Sequence, residues 1–128
     1  MSFIITRRLY IFMWEILTRD LFDSWFEEQN EETQIEVLAV LMILREDGPN
    51  LGRPQVDTLK GSQFPNMKEL RIQVGGHPIR ACFAFDPIRR GIVLCAGDKK
   101  GKDETRFYKK LIKMADAEYA AHLLEQEK

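Results

Sequence analysis

At 128 residues the chain is long enough for one domain with a buried core, and its 45% hydrophobic and 30% charged residues are the balance of an ordinary globular protein. No stretch is long and apolar enough to cross a bilayer, which excludes a helical membrane span. The net charge of −1 hides an asymmetry: residues 1–50 carry 4 Lys/Arg against 10 Asp/Glu, whereas residues 51–113 carry 14 against 6. A polyanion is therefore a candidate partner for the second part of the chain, the plain alternative being a solvated charged face.

The first residues, M-S-F-I-I-T-R-R-L-Y-I-F-M, look superficially like a leader, but Arg7 and Arg8 break the apolar run and no small-residue cleavage site follows. Residues 1–12 read as an extension, with Met13 as an alternative start and residues 13–128 as the single domain. Trp14 to Thr18 reads as a short strand. Asp20 is placed to cap a helix whose Leu21, Phe22, Trp25 and Phe26 recur at helical spacing. Asn30 is placed to cap a second helix, with Glu31 and Glu32 favourable in its first turn, running to about Glu46 before Gly48-Pro49. Val37 to Leu44 is apolar almost all round, which predicts heavy burial.

Residues 48–66, punctuated by Gly48, Pro49, Gly52, Pro54, Gly61 and Pro65, read as loop. Strands are expected at about 68–75, 79–86 and 91–97, with Gly75-Gly76 marking the first turn and Asp86-Pro87 opening the second. A four-residue second turn would set Phe83 opposite Leu94 and Cys82 opposite Cys95. The two cysteines fit no metal or redox spacing and read as reduced core thiols. A last helix is expected over about 104–125, with an apolar stripe of Tyr108, Leu111, Ile112, Ala115, Tyr119 and Leu123. The order β-α-α-β-β-β-α gives an α+β domain, two helices packed on one face of a small antiparallel sheet and a C-terminal helix following it.

No nucleophile–histidine pair or metal cluster accompanies the basic residues of the second part. RNA brings its own nucleophile, the 2′-hydroxyl. A nuclease without a metal then needs cations for the charged phosphorane and groups that move two protons. Arg71 and Arg80 lie on adjacent expected strands, and the arginine fork suits paired phosphate oxygens. Lys68 precedes Arg71, Lys99, Lys100 and Lys102 follow the last strand, and Tyr108 begins the last helix. Each has a plain alternative. Arg71 could pair with Glu69 or Asp86, Tyr108 could belong to the core stripe, and the lysines could be a solvated turn. His77 and His122 read as surface or structural residues, Phe83 and Phe85 as core.

The ordered series L-K-G-S, N-M-K-E-L-R, F-A-F-D-P, G-D-K-K-G and F-Y resembles the HigB-type toxins of the RelE/ParE superfamily, in the phage-derived-protein-like branch, over Trp14 to Leu123. That resemblance implies the same α+β order and a cytoplasmic toxin of a toxin–antitoxin pair, an endoribonuclease that cuts mRNA on the ribosome. It implies no metal and no organic cofactor, and a small antitoxin partner with a helix-turn-helix domain. On it, Arg80 matches the phosphate-stabilising strand arginine, Lys99 the basic residue after the glycine turn, and Tyr108 the tyrosine that stacks on a base or handles a proton. Arg71 is the second candidate, with Lys68, Lys100 and Lys102 as RNA contacts. The paired lysines of RelE fall on Glu69 and Met67, with Lys68 one step out of phase, and the histidine-rich ends of some HigB toxins have no counterpart. The general base is therefore open. ParE-type relatives share the fold yet inhibit DNA gyrase, so a non-nucleolytic toxin and a degenerate regulatory subunit are the alternatives.

Overall fold

The computed structural model describes residues 14–128, and the expected extension over residues 1–12 lies outside them. The chain runs β1 (Ile16–Thr18), α1 (Asp20–Glu27), α2 (Glu31–Asp47), a 3-10 turn (Gly48–Asn50), β2 (Val56–Thr58), β3 (Lys68–Val74), β4 (His77–Phe85), β5 (Gly91–Asp98) and α3 (Glu104–Gln126). The strands form one sheet in the order β1-β5-β4-β3-β2. The meander β2 to β5 is antiparallel, and β1 adds to β5 in parallel at the edge, from Ile16 beside Gly91 to Thr18 beside Val93.

The period-two pattern of the strands sorts their residues between two cores. Leu70, Ile72 and Val74 of β3 and Ile79, Ala81 and Phe83 of β4 pack with Phe22, Val37 and Leu44 under α1 and α2. Cys82 and Ala84 of β4 and Ile92, Leu94 and Cys95 of β5 pack with Phe107, Leu111, Ala115 and Tyr119 of α3 on the other face. The C-terminal helix thus forms a third layer. β2, three residues in the stretch expected to be loop, pairs Val56 with Leu70 and closes the sheet edge.

The helix starts follow their capping chemistry with one difference. Asn30 accepts a hydrogen bond from the Thr33 N–H at 2.9 Å, as expected. Asp20 is the first helical residue rather than the cap, and Arg19 holds the cap position without a side-chain cap. The Arg19 N–H still donates to the Val93 carbonyl at 3.0 Å, so strand-like pairing runs one residue further before the chain turns. The Arg19 guanidinium instead reaches α3, at 2.8 Å from Glu118 and 2.7 Å from Glu125.

Three other expectations need correction. The β4–β5 pair carries a bulge between Cys82 and Phe83. Cys82 faces Cys95 as expected, but Phe83 faces Val93 and not Leu94. The extra residue turns both Leu94 and Cys95 toward α3, which a regular alternation would forbid. Helix α2 is less buried than its composition implies, because the sheet covers one side only: Val37 and Leu44 are buried, while Ile35, Leu38 and Met42 are at least half exposed. In α3 the buried stripe centres on Phe107, Leu111, Ala115 and Tyr119, which leaves Tyr108 at its margin.

Cys82 and Cys95 are buried free thiols. The Cys95 contact, then burial, push the Cys82 thiol well above its ordinary range, so it is inert as a nucleophile.

Candidate active site

The sheet register brings the two arginines together. Arg71 on β3 and Arg80 on β4 are cross-strand partners, so their side chains leave the same sheet face side by side. Like charges opposite one another repel unless an anion lies between them. Glu69, two residues before Arg71 and hence on the same face, supplies it. Its Oε1 accepts from Arg71 Nε at 2.8 Å and lies 3.9 Å from Arg80 Nε. Asp57 of β2 holds the other end of Arg71, accepting from Nη2 at 3.2 Å, and also pairs with Arg53 at 2.9 Å. The hydrogen bond to Glu69 raises the Arg71 guanidinium above its ordinary pKa, against the effect of burial.

Arg80 is held harder. Its side chain is 13% exposed against 38% for Arg71. Its Nε donates to the Tyr108 hydroxyl at 3.2 Å and its Nη1 to the Ile79 carbonyl at 3.0 Å. The glycine of G-D-K-K makes the Tyr108 placement possible. A Cβ at Gly97 would sit 3.1 Å from the Phe107 ring, so the bare backbone lets the start of α3 come this close to β5 without displacing that ring. Burial first, then the Glu69 carboxylate, raise the Tyr108 hydroxyl above its ordinary pKa, with Arg80 opposing. Tyr108 is therefore a neutral hydroxyl at physiological pH.

The turn into α3 adds cations. Asp98 fixes the turn by accepting from the Lys100 N–H at 2.9 Å, and Asp103 caps α3 by accepting from the Arg106 N–H at 3.0 Å. Lys99 Nζ lies 5.6 Å from the centre of the Tyr108 ring and 3.0 Å from Glu104. A groove of about 490 Å³ opens beside Tyr108, with Lys60 and Lys109 among its walls.

Of the residues singled out from sequence, Arg71, Arg80, Tyr108 and Lys99 thus converge. Lys100 lies exposed on the adjoining turn. Lys102 leans the other way, its Nζ 5.7 Å from the Phe107 ring, and borders a separate groove of about 630 Å³ that Trp25 and Arg106 also line. Lys68 does not join them. It alternates with Glu69, pairs with the core residue Phe83, and so belongs to the α1–α2 face. The one-residue offset against the RelE lysines is a change of sheet face.

Sequence reading passed over Glu69, Asp57 and Lys60 as site residues. For Glu69 the signal was present: a carboxylate two positions before an arginine in a strand must share that arginine's face. His77, expected in a turn, opens β4 and pairs with Asp98. His122 bonds Asp86 at 3.0 Å in a buried cluster that Arg90 and Gln126 complete, away from the arginines. Among the described residues, no group of three His, Cys, Asp or Glu side chains is arranged to hold a metal ion.

An α+β domain with two arginines paired on the sheet face beneath its last helix, and a tyrosine and lysine completing the cluster, matches the RelE-like order that the sequence resemblance implied. Comparison with known proteins specifies the family. Residues 24–120 match the family model "Phage derived protein Gp49-like (DUF891)". The chain belongs to that family. It is 45% identical over 105 residues to "Putative toxin HigB2" of Mycobacterium tuberculosis, a match covering 81% of this chain and 52% of that protein. It is 44% identical over 94 residues to "Putative toxin HigB3" of the same organism, covering 73% of this chain and 80% of that protein. The match thus spans about half the length of HigB2 and most of HigB3.

Proposed function

We propose that this chain is the toxin of a bacterial toxin–antitoxin pair and acts as a metal-independent endoribonuclease on mRNA at the translating ribosome. The observation that carries the reading is the cross-strand pair Arg71 and Arg80, held on one face by Glu69 and joined there by Tyr108 and Lys99. Two relatives named as toxins support the biological class.

The chemistry follows from charge placement. The 2′-hydroxyl of the RNA attacks the adjacent phosphorus, and negative charge grows on the phosphorane oxygens. Arg80 and Arg71 present planar donors to that charge, an interaction stronger in the transition state than in the ground state. The Lys99 ammonium serves the leaving 5′-oxygen. Tyr108 handles a proton or stacks on the base beside the scissile bond. Lys100, Lys102, Lys60 and Lys109 hold flanking phosphates. Lys68, on the opposite face, is left for a phosphate outside the cleft. The partners are mRNA, the ribosome and a small helix-turn-helix antitoxin, and the working compartment is the cytoplasm. No helix among the described residues is long and apolar enough to cross a membrane.

Overproduction tests the class. Growth should stop, mRNA should be depleted, and co-production of the small helix-turn-helix protein encoded beside this gene should restore growth. Unimpaired growth with abundant folded protein contradicts the reading. Double-strand DNA breaks with intact mRNA would assign the chain to the gyrase-inhibiting relatives.

A further inference from the structure

The L-K-G-S stretch, Leu59 to Ser62, carries part of the family resemblance and takes no part in the arginine cluster. It forms a loop that is fastened to α3. Leu59 is buried, and its N–H donates to the Met67 carbonyl at 3.0 Å, which closes the base of the loop. Gly61 turns the chain with φ +98°, a backbone conformation that side chains rarely adopt. The Ser62 hydroxyl donates to Asp116 Oδ1 at 2.5 Å, and the Gln63 N–H donates to Asp116 Oδ2 at 2.9 Å. Phe64 adds an edge-on contact with the Tyr119 ring, centroids 4.8 Å apart. Lys60 is left exposed at the lip of the groove beside Tyr108.

That groove does not end at Tyr108. A second one, of about 470 Å³, continues along α3, and the two share Gly61, Lys109 and Ile112 as walls. Together they make one channel between the loop and the helix. It follows α3 from Glu104 to Ala120, about 24 Å at roughly 1.5 Å per residue. Three exposed cations border it: Lys60, Lys109 and Lys113. Among the described residues none of the three pairs with a carboxylate. The two acids of the channel are engaged elsewhere, Glu104 by Lys99 at 3.0 Å and Asp116 by the loop. The groove on the other flank of α3 differs. There Lys102, Arg106 and Lys110 are matched by Glu28, Asp98 and Asp103, an even balance that gives a polyanion little reason to enter.

We infer that this channel guides the mRNA strand leading away from the scissile phosphate, with Lys60, Lys109 and Lys113 on its backbone phosphates. This rests on the ribonuclease reading and adds to it the path of the substrate. The channel starts at Tyr108, so a strand seated in it passes the arginine cluster at one end. Half-buried Ile112 and the apolar stems of the lysines offer its bases a sequence-tolerant floor. Ser62 and Asp116 are positioning residues: they hold the loop against α3 and thereby hold Lys60 over the strand.

Cross-linking tests the path. Cys82 and Cys95 are buried, so a thiol placed on the surface can be labelled selectively. Lys113→Cys and, on the other flank, Lys110→Cys are each combined with Arg80→Ala to keep the message whole, labelled with an aryl azide, and bound to ribosomes translating a defined mRNA. Light should join position 113 to the mRNA within a few nucleotides of the site that wild type cuts, and position 110 far less. Equal yields from the two positions, or cross-links from 113 to ribosomal RNA or protein alone, would overturn the channel. Single-turnover cleavage tests the contacts. Lys60→Ala and Lys113→Ala should each raise the half-saturating protein concentration about twofold to fivefold. Each should also flatten its log–log salt dependence by about 0.7, with the saturated rate near wild type. A wild-type salt dependence in both variants contradicts phosphate contact. Ser62→Ala should reproduce the Lys60→Ala shift, and the double variant should add nothing, because Ser62 acts through Lys60. A lower melting temperature in Ser62→Ala with an unchanged salt dependence would make the latch structural only. Wild type that cleaves nothing overturns the ribonuclease reading and the channel with it. Wild type that cleaves while position 113 misses the mRNA overturns the channel alone.

Discussion

Replacing Arg80 with alanine separates catalysis from folding more cleanly than any other single change. The side chain makes two neutral-acceptor hydrogen bonds, to the Tyr108 hydroxyl and the Ile79 carbonyl, each worth about 1 kcal/mol net. The 3.9 Å ion pair with the buried Glu69 is lost as well, but Arg71 still neutralises that carboxylate at 2.8 Å and no longer faces a like charge across the strand pair. The stability cost is therefore about 1–2 kcal/mol, a minor part of the roughly 5–15 kcal/mol of a typical domain. Losing one donor aimed at a developing oxyanion costs about 3–4 kcal/mol, or roughly a hundred- to a thousandfold in rate. Arg80→Ala should thus keep its circular dichroism spectrum and antitoxin binding while losing cleavage and toxicity. Arg80→Lys should recover only part of the rate, since a point charge cannot copy the fork. Full toxicity of Arg80→Ala, or its unfolding, would show the residue to be dispensable or structural, and the site would have to be rebuilt around Arg71 and Lys99.

Three further outcomes follow from the same geometry. Lys99→Ala should slow cleavage about tenfold or more, whereas Lys68→Ala, on the other sheet face, should leave the rate near wild type; the reverse order in a cleavage assay would refute the placement of both. Gly97→Ala should cost about 1–3 kcal/mol by thermal melting, because the new Cβ presses on the Phe107 ring at 3.1 Å, while Gly52→Ala, with open space around it, should be neutral. For Asp86, burial opposes ionisation, but hydrogen bonds from His122 and from the Arg90 backbone and guanidinium prevail and hold the carboxyl below its ordinary 3.8. A depressed folded pKa means stabilisation that is complete above the unfolded value and is lost as pH falls through the folded one. The stability gap between wild type and Asp86→Asn should therefore be constant near neutrality and shrink in acid denaturation below that value. A gap that widened there would reverse the assigned sign.

The parts of the fold that local pattern controls were legible in the residues. Asn30 before two glutamates, Gly75-Gly76 between two apolar strands and the long apolar stripe of the last helix each determine an element within a few residues. Features that depend on how elements meet were not. The bulge at Cys82/Phe83 adds one residue without any glycine or proline to announce it, so the partner of Phe83 moved to Val93. Val56–Thr58 is too short and too close to Pro54 to stand out from a loop, and it forms because β3 offers an edge. The apolar run in α2 resembled a buried helix, yet burial depends on what covers each side, and one side has only the sheet beneath it.

The site divides in the same way. Arg71 and Arg80 were visible as charges in apolar strands, and their pairing follows once the glycine turn sets the register. Tyr108 was ambiguous because its position touches both the core stripe and the cleft, and the structure shows why: Phe107 takes the core and Tyr108 the edge. Glu69 was treated only as a counter-charge, and its buried unpartnered oxygen depends on α3 closing over it, which no local pattern records.

The most direct test of the central claim is cleavage by the purified protein itself. A defined mRNA should be translated on purified ribosomes in its presence, and the ends of any fragments mapped, with Arg80→Ala in parallel. The account predicts new fragments bearing 2′,3′-cyclic phosphate and 5′-hydroxyl ends with wild type and at least about a hundredfold fewer with the variant. Intact mRNA with folded wild-type protein, or equal cleavage by Arg80→Ala, would contradict it.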